Sequence, residues 1–261
     1  MRLIEKTVLE DKVYLIPLGD LHLGSPNIDW DKFIGYIDWV KEHSTAYIFL
    51  MGDIFDTAVI NGATNIFTQT MSLNSAMETF YNTIFPVKDR ILGAITGNHE
   101  DRLLKRANFN PLQSLCEMKD IPYCGYSCVI RFRVGRYKRK SGRVSPKVEY
   151  VFYAHHTTGG GSTPGGKLNR IDKLTKIFWG ADAYLGAHNH FKAEGEPRIY
   201  YLSKSGNGKA TLKAKRVHLI DTGSFVKWNN SYAEMKMLPP AETGVPRIRM
   251  DGKRKDLHVS Y

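Results

Sequence analysis

Apolar residues in this chain gather in short runs, and several of the runs stop at an Asp or a His. Val13 to Gly19 is followed at once by Asp20. Pro17 inside that run cannot donate to a ladder, so the strand must end early or leave the position unpaired. Trp30, Phe33, Ile34, Ile37 and Val40 then recur at helical spacing behind Asp29, the expected N-cap. Ala46 to Met51 predicts a second buried strand, ended by Gly52 and Asp53. A looser stretch over 57–70 leads to a predicted helix over 71–85, stopped by Pro86. The third run, Ile91 to Thr96, delivers Gly97-Asn98-His99-Glu100, where the strand is expected to break into a loop.

Strand–helix–strand–helix–strand order implies a largely parallel sheet covered by helices, with ligands gathered beyond the carboxyl ends of its strands. The pattern then changes. Ser127–Val134 and Val148–Ala154 read as strands around a basic excursion over 135–143. A glycine-rich loop over 157–166 precedes a predicted helix near 167–178, and Ala183–Gly186 and Val217–Asp221 read as further strands. One domain over 1–240 is the simplest organisation, with a polar, basic tail over 241–261 to which no element is assigned.

At 261 residues the chain can bury a full core, and its 42 % hydrophobic and 24 % charged residues are those of an ordinary soluble protein. No apolar stretch approaches the ~18–20 residues that cross a bilayer. The first residues lack a secretory core, so the expectation is cytoplasmic, with no membrane partner. Cys116, Cys124 and Cys128 fit reduced structural thiols better than disulfides or a zinc knuckle.

Charge adds a second theme. The net +11 suggests a polyanionic partner, nucleic acid ahead of an anionic membrane. Eight cations lie between Arg131 and Lys147, among them Arg136, Lys138 and Arg139 beside Tyr137, which are candidate substrate contacts. Lys209, Lys213, Lys215 and Arg216 form a second group, and Arg247, Arg249, Lys253, Arg254 and Lys255 a third. A solvated hairpin and tail would carry the same charges.

The Asp and His motifs supply chemistry. Two divalent ions held close together need a shared anion and several neutral ligands. Asp20 and His22 straddle one residue at a strand end, Asp53 is the natural bridging carboxylate, and Asn98 offers an amide oxygen. His155, His188 and His190 add imidazoles. A single His often only packs or caps; five such motifs in this order point to a metal centre. His43, His218 and His258 fall outside them, and Asp29 and Asp31 are explained by helix capping.

The ordered set Asp-x-His, Gly-Asp-x-x-Asp, Gly-Asn-His-Glu, strand-then-His and Gly-x-His-x-His, over residues 13–191, resembles the calcineurin-like metallophosphoesterase superfamily. The resemblance implies an α/β fold, a four-layer αββα sandwich of two mixed β-sheets flanked by helices. It also implies two divalent ions, manganese first, with iron, zinc, nickel or cobalt as alternatives. One ion would be held by Asp20, His22, Asp53 and His190, the other by Asp53, Asn98, His155 and His188. His99 resembles the family's histidine that faces the leaving group. His155 is preferred to His156 because it comes first after its strand, which leaves His156 beside the site or on substrate. Arg102 is a candidate phosphate clamp, and a surface ion pair would explain it equally.

Ala187 stands where the family often has Gly, and Asp53-Ile54-Phe55-Asp56-Thr57 lacks the Asp-Arg-Gly continuation of the protein phosphatases. Gly19-Asp20-Leu21-His22-Leu23-Gly24 is similar to the opening motif of the repair and recombination nucleases of this superfamily. The expectation is therefore a phosphodiesterase, a nuclease acting on DNA or RNA by in-line attack of a metal-bridging hydroxide. A phosphomonoesterase for small molecules or phosphoproteins is the alternative. A non-catalytic nucleic-acid-binding domain is a third reading, disfavoured by the complete ligand set.

Overall fold

Three parallel strands carry the first three motifs. In the computed structural model, which describes residues 1–60, 65–138, 142, 144–159, 163–204, 210–235, 237 and 239–261, a first strand β1 (Arg2–Val8) precedes β2 (Lys12–Leu18). Then follow α1 (Trp30–Glu42), β3 (Ala46–Leu50), α2 (Leu73–Ile84), β4 (Ile91–Ala94), α3 (Asn98–Ala107) and α4 (Pro111–Met118). The second half contains β5 (Ser127–Val134), β6 (Tyr137–Lys138), β7 (Val144–Ser145), β8 (Val148–His155), α5 (Pro164–Leu174), β9 (Ala183–Gly186) and β10 (Lys192–Gly195). It closes with β11 (Arg198–Lys204), β12 (Ala210–Arg216), β13 (His218–Thr222), the short α6 (Tyr232–Met235), β14 (Arg247–Asp251) and β15 (Leu257–Ser260).

Two large mixed sheets result, in the orders β15-β14-β2-β3-β4 and β1-β5-β8-β9-β13-β10. β2, β3 and β4 are parallel, as are β8, β9 and β13. Pro17 stands in β2, where pairing with β14 stops at Leu15↔Ile248, so its missing N–H breaks no rung with that strand. β11 and β12 form a separate hairpin, and β6 with β7 another.

Each strand splits its residues between two faces, and three cores fill the gaps between four layers. Ile16, Leu18, Ile48 and Leu50 pack on Phe33 and Ile37 of α1, Phe80 of α2 and Leu115 of α4. Their neighbours Leu15, Tyr47 and Phe49 turn the other way, against Phe132, Tyr150 and Phe152 of the second sheet. Val129, Tyr153 and Tyr184 leave that sheet's outer face to meet Ile171 and Leu174 of α5. Burial on both faces explains why these strands read as continuous apolar runs. The fold is the α/β sandwich that the resemblance implied.

Several expectations need correction. The stretch after Gly97 is a helix, α3, and not a loop; α4 and β1 were not foreseen either. The C-terminal segment is not a tail: β14 and β15 complete the first sheet. Ile248 and Met250 are buried between outward Arg247 and Arg249, so charge masked a period-two pattern. Among the described residues no helix is long and apolar enough to cross a membrane.

Candidate metal centre

The carboxyl ends of β2, β3, β4, β8 and β9 meet along one edge of the sandwich, each continuing into a turn that carries a polar side chain. The turns after β2 and β3 are zipped together. Asp20 N–H donates to Gly52 O at 3.0 Å, and the N–H groups of Leu21 and His22 to Asp53 O at 2.9 and 3.0 Å. A Cβ on Gly97 would collide with the Asp53 carboxylate, so only glycine lets the start of α3 close over that residue.

Backbone strain concentrates here. Asp20, His22, Asp53, His188 and His190 all adopt left-handed φ values, between 48° and 78°. An L-residue in that region costs on the order of 1–2 kcal/mol, and such strain gathers where function demands a geometry.

Two groups of side chains converge. In the first, His22 Nε2 and His190 Nε2 lie 3.0 Å apart, with Asp20 Oδ1 3.7 Å from the former and 3.3 Å from the latter. In the second, His156 Nε2 lies 3.1 Å from Asp53 Oδ2 and 3.2 Å from Asn98 Oδ1, which is itself 2.6 Å from His188 Nδ1. Asp53 Oδ2 is also 3.9 Å from His22 Nε2, so that carboxylate faces both groups. Ligand atoms on one ion, each bound at ~2.1 Å, stand about 3–3.5 Å from one another. Four of the six contacts within the two groups fall in that range, with the other two at 2.6 and 3.7 Å. Asp20 Oδ1 is buried and has no hydrogen-bond partner, so its charge is of the kind a cation would satisfy. Oxygen and imidazole donors in this mixture suit first-row divalent metals. The residues fit divalent metal of this kind.

The charges inside the cluster balance one another. Burial pushes His22 and His156 down, but Asp20 and Asp56 around the former, and Asp53 and Asp20 around the latter, outweigh it and hold both at about 10. Burial pushes the Asp53 and Asp20 carboxyls up, and the surrounding imidazoles, His156 above all, bring both well below the usual range.

His155, the expected ligand, lies outside the cluster. It is half-buried, and its Nδ1 accepts the Thr157 N–H at 2.7 Å. His156 stands in its place, with Nδ1 2.7 Å from Met51 O, so that its Nε2 faces the donors. His99 joins the edge of the site. Its backbone N–H donates to Asp53 Oδ1 at 2.7 Å and its Nδ1 lies 2.5 Å from Asp56 O, leaving Nε2 free for the cleft.

Asp56 is expected from the sequence either to orient a ligand or to cap the next turn, whereas Glu100 and Asp221 carry no such expectation. Asp56 Oδ1 faces both His22 Nδ1 at 3.4 Å and His99 Nδ1 at 3.2 Å, orienting two rings. Glu100, fully buried, accepts the N–H groups of Asp53, Ile54, Phe55 and Gly97 at 2.8 to 3.2 Å. Asp221 Oδ2 accepts Asn189 Nδ2–H at 2.8 Å, which pins the turn carrying His188 and His190. The signal for Glu100 was its place three residues after a helix N-cap; Asp221 offered none beyond ending a strand.

A cleft of about 930 Å³ opens over these groups. Its walls carry the amides of Asn27, Asn65, Gln69 and Asn230, and Lys167 is the one Lys or Arg among its described lining residues. Arg102 does not line it. Arg136 and Lys138 belong to the opposite end of the second sheet, because Val134, where β5 ends, pairs with Val148, where β8 begins. Arg139 lies outside the described residues, as do Lys140, Arg143 and Lys209. Arg136 and Lys138, expected as substrate contacts, therefore lie away from the metal centre.

No family model and no curated protein matches the chain. Some solved structures align over nearly its whole length at low similarity. One is a conserved protein from Streptococcus pneumoniae TIGR4 described as a predicted phosphoesterase, 12 % identical over 95 % of this chain and 98 % of that one, with a TM-score of 0.34. Another is GAP50, the anchor in the inner membrane complex of Plasmodium, 11 % identical over 96 % and 89 %, TM-score 0.44. A third is a metallophosphoesterase from Sphaerobacter thermophilus, 10 % identical over 95 % and 89 %, TM-score 0.38. Likenesses this weak carry no weight for function; the layers and the cluster stand on their own geometry.

Proposed function

We propose that the chain is a metal-dependent phosphoesterase of the calcineurin-like kind, and that it hydrolyses phosphodiesters, with nucleic acid as the substrate class. The observation that carries this is Asp53 placed between two triads, Asp20/His22/His190 and Asp53/His156/His188, with the Asn98 amide oxygen against the second. Asp20, His22, Asp53 and His190 would hold one ion, and Asp53, Asn98, His156 and His188 the other. When bound, such a pair supplies the Lewis acidity that neutralises a phosphoryl group and makes water acidic enough to act near neutral pH.

The chain's own groups do the rest. α3 points its N-terminus, with its partial positive charge, at the cleft floor, where a phosphate is favoured. His99, held through Nδ1 by Asp56, presents Nε2 to a leaving oxygen as proton donor. The amide-rich walls offer hydrogen bonds to sugar hydroxyls and base edges. A phosphomonoesterase remains the second reading, favoured by Lys167, the one lysine or arginine among the described residues lining the cleft.

Hydrolysis of bis(p-nitrophenyl) phosphate against p-nitrophenyl phosphate, across manganese, zinc, nickel and cobalt, separates the two. Cleavage of the monoester alone, with no nucleic acid cut, would sink the diesterase reading. His99→Ala is expected to keep its metal by elemental analysis while turnover falls on the order of 10²–10⁴. Metal loss equal to that of Asp53→Ala would remove His99 from this role.

A further inference from the structure

A group of exposed cations gathers at the end of the molecule opposite the cleft. β8 rises for eight residues from Val148 to His155, so its start lies on the order of 25 Å from the metal centre. Three segments distant in sequence meet there. The pairs Val8↔Val134 and Val134↔Val148 bring the β6–β7 excursion beside the turn from β1 to β2, and Asp251↔Lys12 brings the β14–β15 turn to the same place. Gly135 and Gly252 touch so closely that a Cβ on Gly135 would overlap the Gly252 backbone.

This end is built and not merely charged. The Tyr150 hydroxyl lies 2.7 to 2.9 Å from the carbonyl oxygens of Asp251, Arg254 and Asp256 and accepts the Asp256 N–H at 2.9 Å, which fixes the turn over 251–256. Its Lys253 and Arg254 side chains stand 73 % and 76 % exposed. Beside them Arg136 and Lys138 are exposed around Tyr137, and among the described residues no carboxylate pairs with either. Asp11 and Asp256 offset Lys253 and Arg254 singly, whereas no acidic residue occurs from Arg131 to Lys147.

We propose that this basic pole, remote from the metal centre, anchors the phosphate backbone of a nucleic acid. The choice of polyanion rests on the phosphodiesterase reading; the pole itself does not. Lys253 and Arg254 on the turn held by Tyr150, with Arg136 and Lys138 beside them, neutralise successive phosphates and release counterions, and Tyr137 adds a face on which a base can stack. A strand held there raises the local concentration of its own distant phosphodiesters at the cleft. Anchoring thus lowers KM for long substrates and leaves small ones unaffected.

The test uses the full chain freed of metal with EDTA, and fluorescence anisotropy of labelled single-stranded and duplex oligonucleotides across a salt series. Arg136→Glu/Lys138→Glu/Lys253→Glu/Arg254→Glu is expected to weaken binding at least about tenfold. The salt slope should become shallower by about one unit for each phosphate that is no longer neutralised. The corresponding glutamine variant guards against misfolding and should show a smaller loss in the same direction, with an unchanged melting temperature. Unchanged affinity overturns the proposal, as does an equal loss in Lys32→Glu/Lys105→Glu, whose lysines lie on α1 and α3. So does wild-type protein that binds phosphatidylserine–phosphatidylcholine vesicles through these residues and no nucleic acid. With manganese restored, all variants should hydrolyse bis(p-nitrophenyl) phosphate with wild-type kcat and KM. If wild-type protein fails on that diester, the reading of the cleft falls, while the anisotropy still decides the pole.

Discussion

His156 reaches the cluster because it keeps the parity of its strand. Tyr150, Phe152 and Ala154 face the space between the sheets, and His156 continues that series, whereas Val151 and Tyr153 turn toward α5 and His155 with them. His156→Ala should therefore strip metal from the protein and His155→Ala should not, as read by elemental analysis after gel filtration; the reverse result would restore His155. The alternation was legible in Tyr-Val-Phe-Tyr-Ala-His-His, but with both faces apolar it does not say which parity points inward. The Asp and His motifs were legible because each interrupts an apolar run. Asp221 was not, since its role depends on Asn189 across the sheet. Burial pushes the Asp221 carboxyl up to about 8, with Asn189 opposing and the Asp20 charge adding. In metal-free protein the native state thus keeps a proton that the unfolded chain loses above about pH 4. Asp221 then costs stability as pH rises to about 8 and costs no more beyond it. Asp221→Asn should melt with wild type at low pH and above it at pH 8; parallel curves would refute this.

Most elements that bury a long apolar face announced themselves, whereas the short α4, which buries Leu112, Leu115 and Cys116, and the largely polar α3 stayed hidden. β2, β3, β5, β8 and β9 were legible to within a residue or two, as were α1 and α2. In α3 only Leu103, Leu104 and the terminal Ala107 are apolar, so no stripe marks it. Glu100 holds its first turn in place by drawing four N–H donors from two loops onto one carboxylate. Burial, with the Asp53 charge behind it, pushes Glu100 up to about 7, and those donors oppose the rise. Glu100→Gln sets an NH₂ group against backbone donors. It should cost about 1–3 kcal/mol in urea melts, with loss of metal affinity because Asp53 rides on the same contacts. Wild-type stability together with wild-type metal content would show that the staple is dispensable.

The metal centre spans both sheets, with Asp20, Asp53 and Asn98 from one and His156, His188 and His190 from the other. Ions bound there would add a tie between layers that otherwise meet through the middle core and through turn contacts such as Tyr150 on residues 251–256. Removing them with EDTA should lower the melting temperature, and titrating manganese back should raise it with concentration as expected for a ligand of the native state alone. A melting temperature indifferent to chelation would argue that the cluster holds no ion. The sequence yielded the charge total but not its placement, because pole and cleft are set by which ends of β5, β8 and β14 lie together.

Five residues in one cluster hold backbone angles that asparagine or glycine would tolerate better. The simplest substitutions that relax this protein are therefore those that silence it. A lineage freed from the need to turn over substrate would drift toward a sturdier, inert descendant, losing His22 or His190 before it lost the sandwich.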